Sequence, residues 1–315
     1  MESRPDAARL AERVPAQLFI VASALVQYIG AAIAVGLFAV IEPASVAWWR
    51  VTVAAVVLLF WRRPWRAGLG WSDLWRSAVF GLVLTGMNIS FYEAIARIPL
   101  GVAVSLEFLG PVSVAVLRGR GVAPRVAAGL ALGGVVAIGG LGLDLGTPGV
   151  GAGIAWILAA AALWAGYIVL GQRIASRRSG ITNLALGCAV GGLVFAPVLA
   201  PGGSAVFTSW HLAAAVVGVG VLSTVLPYSF EALAMSRLSA ATFALFTALL
   251  PATSALVGAV MLRQVPGVWE LAGLVLISVA VWVASRSEQG SMPVGGVDGS
   301  GELDGSGESG GPLTE

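Results

Sequence analysis

Glu107 lies in GVAVSLEFLGPVSVAVL (residues 101–117), a stretch with no other charge, and Pro111 follows one helical turn later. A carboxylate at the centre of a membrane-crossing helix costs about 2.5–3.5 kcal/mol on insertion scales, so it persists where a cation, water or cargo meets it. Carrying a proton or holding an ammonium group is the chemistry such a residue can do there. Arg50 is the cation placed to answer it, because the two residues sit at overlapping depths from the same end of their runs. Glu93 and Glu231 are the other embedded acids; both lie nearer an interface, where a snorkelling structural role competes with a place in the site. Gln27, Asn88, Tyr92, Tyr167, Gln172, Tyr228 and Thr247 add hydrogen-bonding reach, and each taken singly could do no more than join two helices. Jointly, one cation, several acids and amides near mid-depth describe a solvated pocket for a small zwitterion.

Three prolines bear on how that pocket is opened. Proline has no N–H for the carbonyl four residues earlier, so Pro111 deprives the Glu107 carbonyl of its helical donor and Pro251 does the same to Thr247. Pro227 is the third candidate hinge. A freed carbonyl in hydrocarbon is either repaired by a neighbouring helix, as a plain kink, or turned toward a cavity where water or substrate meets it.

Other chemistries are excluded by what the sequence lacks. All 18 basic residues are arginine, so neither a Walker A phosphate loop nor a Schiff-base lysine exists, and energy must come from a gradient. The segments GVGAG (149–153) and GLGLDLG (140–146) resemble phosphate loops only in composition, since no strand precedes them. His211 is the single histidine, too few for a metal centre, and Ser72 in GWSD falls on the opposite side of the bilayer from it, which argues against a hydrolase. Cys188 is the single cysteine, a structural thiol in an apolar run with no internal disulfide partner. No cofactor and no nucleic-acid partner are implied: the arginines form no basic stripe on a soluble helix.

The elements that must position these residues follow from composition. With 58% of its 315 residues hydrophobic and 11% charged, against about 45–50% and 25% in soluble domains, the chain cannot hide its apolar surface in a water-soluble globule. The expected fold is an all-α polytopic membrane protein with ten transmembrane helices, near residues 17–41, 45–61, 74–96, 99–117, 124–142, 150–172, 181–200, 211–235, 239–262 and 266–285. Residues 1–16 read as a short exposed tail without a signal-peptide cleavage site, and 286–315 as a Gly-rich acidic tail too polar to fold alone. Arginines fall overwhelmingly on alternate connections. Only Arg97 and Arg263 lie opposite the rest, with Arg50 inside a span, so both termini are expected in the cytoplasm. Trp48, Trp49, Trp61, Trp65, Trp71 and Trp75 mark span ends as interfacial anchors, and the pairs Gly129/Gly133 and Gly187/Gly191 mark close-packing faces.

A weak internal echo divides the chain. RIPLGVAVSLEFLGPVSVA (97–115) aligns with RLSAATFALFTALLPATSA (237–255), matching Pro111 to Pro251, and AAGLALGGVVAI (127–138) aligns with LAGLVLISVAVW (271–282). Five helices per half is an odd number, so the copies at 17–142 and 150–285 would be inserted in opposite senses, an arrangement that carriers use around a midplane site.

NISFYEAIARIPLGVAVSLEFLGPVSVAVL (88–117), AALWAGYIVLGQRIA (161–175) and LSTVLPYSFEALAMSRLSAATFALFTALLPATSALVGAVML (222–262) together resemble the EamA-type drug/metabolite transporters, most closely the threonine and homoserine exporter group. The resemblance covers about residues 17–285. It implies two inverted five-helix repeats in a bacterial inner membrane, and efflux of amino acids or related small metabolites by proton coupling or exchange. The matching positions are Glu107, Gly110 and Pro111, then Pro227, Tyr228 and Glu231, then Trp164, Tyr167, Gln172 and Arg173. Leu250 stands where such proteins often carry an acid, and Arg263 and Gln264 stand where many carry Gly-Glu, so a coupling acid at those places is not carried over. The rival readings are a non-transporting receptor or assembly scaffold, and an exporter of drugs or lipids.

Overall fold

The computed structural model describes residues 15–67, 70–118, 121–175, 180–235 and 248–289. Both expected tails therefore lie largely outside the described residues, as do Thr247 and the first part of the ninth expected span. All regular structure among the described residues is helical. In chain order the helices are α1 (Ala16–Leu37), α2 (Pro43–Arg62), α3 (Trp71–Ile95), α4 (Leu100–Glu107), α5 (Leu109–Arg118) and α6 (Val122–Val136). They continue as α7 (Val150–Ala175), α8 (Gly180–Leu199), α9 (Trp210–Gly220), α10 (Leu226–Met235), α11 (Leu250–Leu262) and α12 (Val268–Gln289).

Seven helical stretches are long and apolar enough to cross a membrane, one of them uniting α4 with α5 and another uniting α9 with α10. Three shorter apolar helices lie over Val122–Val136, Leu250–Leu262 and Val268–Ala284. The last helix runs on to Gln289, a few residues into the segment expected to be tail.

Two of the expected kinks take different forms. The run containing Glu107 is interrupted at Phe108, where α4 stops and α5 begins, three residues before Pro111. The run containing Pro227 passes through a π turn at Val221–Val225 between α9 and α10. A second π turn, Ala137–Gly142, ends α6. Such turns insert a residue into the helical ladder and recur at functional positions.

The bundle is stitched between its two halves. Helix α2 packs on α8, α3 on both α7 and α8, α1 on α10, α4 on α11, and α6 on α12. Gly81 of α3 and Gly187 and Gly191 of α8 make the tightest crossing: a Cβ on Gly81 would strike the Gly187 backbone, and one on Gly191 would strike Thr85. The Gly187/Gly191 face expected from sequence is thus a packing face. The other expected pair is corrected at Gly129. A Cβ on Gly129 would meet nothing within 4 Å, whereas the α6–α12 contact is made by Gly134 against Ile277 and the Gly273 carbonyl, 2.5 and 3.0 Å from a would-be Cβ. Gly133, whose Cβ would stand 3.7 Å from Leu276 of α12, borders the same contact, so the spacing found the edge of the α6–α12 face and not its tightest point.

Gly81→Val is expected to lower stability by about 3 kcal/mol, at the upper end of what overpacking costs, since backbone rather than a flexible side chain stands in the way. Gly129→Val and Gly218→Val, both into open space, should leave stability within about 0.5–1 kcal/mol of wild type, the ordinary helix-propensity range. Thermal unfolding of the detergent-solubilised protein, followed by tryptophan fluorescence, separates the three.

Candidate functional site

Arg50 is buried in α2, with 8% of its surface exposed. Its Nε donates to Thr224 Oγ1 at 2.8 Å and its Nη2 to the Ser223 carbonyl at 2.7 Å. The Ser223 carbonyl is free to accept because Pro227, four residues on, has no N–H to give it. The π turn and the proline together therefore make the acceptor that receives the guanidinium. Gly30 of α1 lets the turn come close: a Cβ there would strike the Ser223 hydroxyl, which itself donates to the Gln27 carbonyl at 3.4 Å. Arg50 also stands over the Tyr92 ring, 5.5 Å from its centroid. Hydrogen bonds to a charged group contribute about 1.5–3 kcal/mol each, so two of them match the insertion cost of an arginine at mid-span.

Glu107 is treated differently by its surroundings. It ends α4, in which every other residue is buried, yet it keeps intermediate exposure. Among the described residues no hydrogen bond or ion pair reaches its carboxylate, and Arg50 is not within 4 Å of it. Arg50 acts on Glu107 only through electrostatics at longer range, and Tyr28 of α1 feels both Glu107 and Glu231. The expected Arg50–Glu107 contact is thus replaced by Arg50 on the π turn. Fixed dipoles take the hydrogen bonds of Arg50, whereas no hydrogen bond or ion pair among the described residues engages the Glu107 carboxylate.

Glu231 of α10 accepts from the Ser23 hydroxyl of α1 at 3.0 Å, with the Pro227 carbonyl 3.3 Å from the same hydroxyl. Tyr167 of α7 and Tyr228 of α10 interact side chain to side chain, and both feel Glu231. Tyr92 is fully buried between the rings of Phe38 and Phe91, and its hydroxyl has no hydrogen-bond partner. Asn88 donates back to the Leu84 carbonyl of its own helix at 2.8 Å. Glu93 is taken up at a helix end: it accepts from the Ala44 N–H at the start of α2 at 3.1 Å and pairs with Arg97 at 2.5 Å. At the α4–α5 break, Phe108 packs edge-on against Trp164, centroids 4.9 Å apart. Pro251 is buried in the first turn of α11, where a missing N–H costs nothing. The side chains of Gln172 and Arg173 lie outside the described residues.

Sequence reasoning missed Ser23, Tyr28, Ser223 and Thr224. Ser23 was legible as the residue one turn before Gln27 on the same helix face, and Ser223 by the proline rule already applied to Pro111 and Pro251. Tyr28 gave no signal beyond its side-chain type.

These features define an all-helical multi-pass membrane protein with ionisable groups at the core of its bundle. The EamA-like transporter family model matches residues 151–286. The threonine/homoserine exporter RhtA of Salmonella typhimurium (strain LT2) is 31% identical over 272 residues, 86% of this chain and 90% of that protein. The protein of the same name in Escherichia coli K12 is 34% identical over 251 residues, 80% and 84% of the two chains. A solved crystal structure shares the fold with a TM-score of 0.56 at 21% identity, over 88% of this chain and 99% of that one. The chain belongs to the EamA-like transporter family.

Proposed function

We propose that the protein exports a small zwitterionic metabolite, of the threonine/homoserine class, across the bacterial inner membrane by alternating access, with Glu107 as the proton-carrying group. The observation that carries this reading is the Glu107 carboxylate, which no hydrogen bond or ion pair among the described residues engages and which feels the Arg50 cation at longer range. A substrate carboxylate finds Arg50; its ammonium finds the acids Glu107 and Glu231. Relatives named as threonine/homoserine exporters support the substrate class.

The contacts between halves support two inverted five-helix repeats over 17–142 and 150–285. Number the ten expected spans in order and exchange each with the span five places on. The contacts of spans two with seven, four with nine and five with ten map onto themselves, while three with six and one with eight exchange. A pseudo-two-fold axis between oppositely inserted halves has this property. The arginine distribution supports cytoplasmic termini.

Purified protein in liposomes loaded with labelled threonine is the test. Saturable efflux, faster when the receiving side is acidic, is expected. Absence of saturable flux for threonine, homoserine and a panel of other small amino acids would leave the scaffold reading; saturable flux indifferent to the pH difference would remove the proton from the mechanism.

A further inference from the structure

Away from Glu107, the start of α4, the end of α11 and the start of α12 enclose a cavity of about 320 Å³. Pro99, Gly101, Gly258, Arg263, Gln264 and Glu270 contribute to its wall. Its frame is fixed by polar contacts: the Gln264 side-chain oxygen accepts from the Leu100 N–H at 2.9 Å, joining α4 to the end of α11, and the Gln264 N–H donates to the Gly258 carbonyl at 3.0 Å. Two opposite charges face this space without meeting. Arg263 is exposed, and among the described residues neither a hydrogen bond nor an ion pair holds its guanidinium. Glu270 is buried, 8% exposed, and lines the cavity; one carboxylate oxygen accepts from the Gly267 N–H at 2.8 Å, and among the described residues no other hydrogen bond engages the carboxylate. No ion pair within 4 Å joins Arg263 to Glu270.

Arg263 is also held in the left-handed region, φ 57°, at the position after a helix where glycine is preferred. Strain of this kind at a non-glycine residue marks positions that the rest of the structure over-determines. A guanidinium presents a planar fork that takes a carboxylate through two hydrogen bonds, and a carboxylate oxygen takes an ammonium. The cavity falls at the lower end of the range for small-molecule pockets, room for a molecule of amino-acid size.

We propose that this cavity is a second binding site for a small zwitterion, its carboxylate on Arg263 and its ammonium on Glu270. Resting on the export reading and its orientation, which put the α3–α4 and α11–α12 connections on the outer face, the site receives the exported molecule as it leaves. Because Gln264 ties the start of α4 to the end of α11, occupancy holds that contact closed and slows further export when the outside concentration is high.

The test uses the full chain in nanodiscs of phosphatidylglycerol alone, with labelled threonine as probe. Wild type is expected to bind about two equivalents and Arg263→Gln or Glu270→Gln about one, as losing one charge-assisted contact weakens a site by tenfold or more. Arg263→Lys, which keeps the charge at the left-handed position, should retain part of the second site and reports that a loss is not misfolding. In liposomes, external threonine should slow efflux by wild type and not by Arg263→Gln. A single equivalent, unchanged in Arg263→Gln, overturns the proposal while leaving the export reading intact, since efflux is scored separately in the liposomes. Phosphatidylethanolamine retained by wild type and lost from Arg263→Gln in native mass spectrometry, with no second threonine, would assign the same charges to a lipid headgroup and overturn the exit site.

Discussion

Glu107→Gln is expected to abolish flux driven by a pH difference, by about 100-fold or more, while leaving the protein folded. The substitution keeps the shape of the side chain, exchanges one acceptor oxygen for an NH2 donor, and removes both the negative charge and the ability to carry a proton. Because no hydrogen bond or ion pair among the described residues engages the carboxylate, nothing in the packing depends on its charge. An amide also inserts at lower cost than a carboxylate, so thermal stability should hold or rise. Proteoliposome efflux with and without a pH step, alongside thermal unfolding, is the measurement. A variant that still responds to pH would take the proton away from Glu107. A variant that loses pH response but still exchanges labelled for unlabelled threonine across the membrane would show that binding and alternation survive without it.

Arg50→Gln should be as damaging for a different reason. The substitution removes two charge-assisted bonds and leaves the Ser223 carbonyl and the Thr224 hydroxyl without their donor; each such loss is worth about 1–3 kcal/mol. Transport should fall by about 100-fold and, unlike in Glu107→Gln, the unfolding temperature should fall with it. Arg50→Lys restores the charge without the fork, so it should recover stability in part and threonine affinity little. Pro227→Ala is the companion variant. It returns an N–H that competes for the Ser223 carbonyl, and a drop of about tenfold in transport is expected if one of the two Arg50 bonds is lost. Wild-type transport in Pro227→Ala would mean that Arg50 does not depend on the freed carbonyl.

The two variants test opposite treatments of charge in one bundle. Arg50 is satisfied by fixed dipoles and serves as a permanent positive pole. Glu107 is left unsatisfied, and that is the condition under which a side chain can exchange partners during a cycle. A scaffold would gain nothing from an unpartnered acid, whereas a carrier needs one that is free to change its occupant.

Composition by itself determined that the chain is a helical membrane protein, that acids and one cation lie inside its apolar helices, and that prolines fall within them. Each of these is a local property: a single helix bears the insertion cost of Glu107, and a single proline removes a donor from its own ladder. Family membership was legible for the same reason, through short motifs such as LEFLGP and LPYSFE. Only the tertiary structure decided which partner each charge takes. Arg50 went to Ser223 and Thr224, residues far away in sequence, and Gly134 rather than Gly129 met α12. Those outcomes depend on the rotation and depth of one helix against another, which are set by the summed packing of many side chains and by close approaches at Gly30 and Gly81; no single helix encodes them.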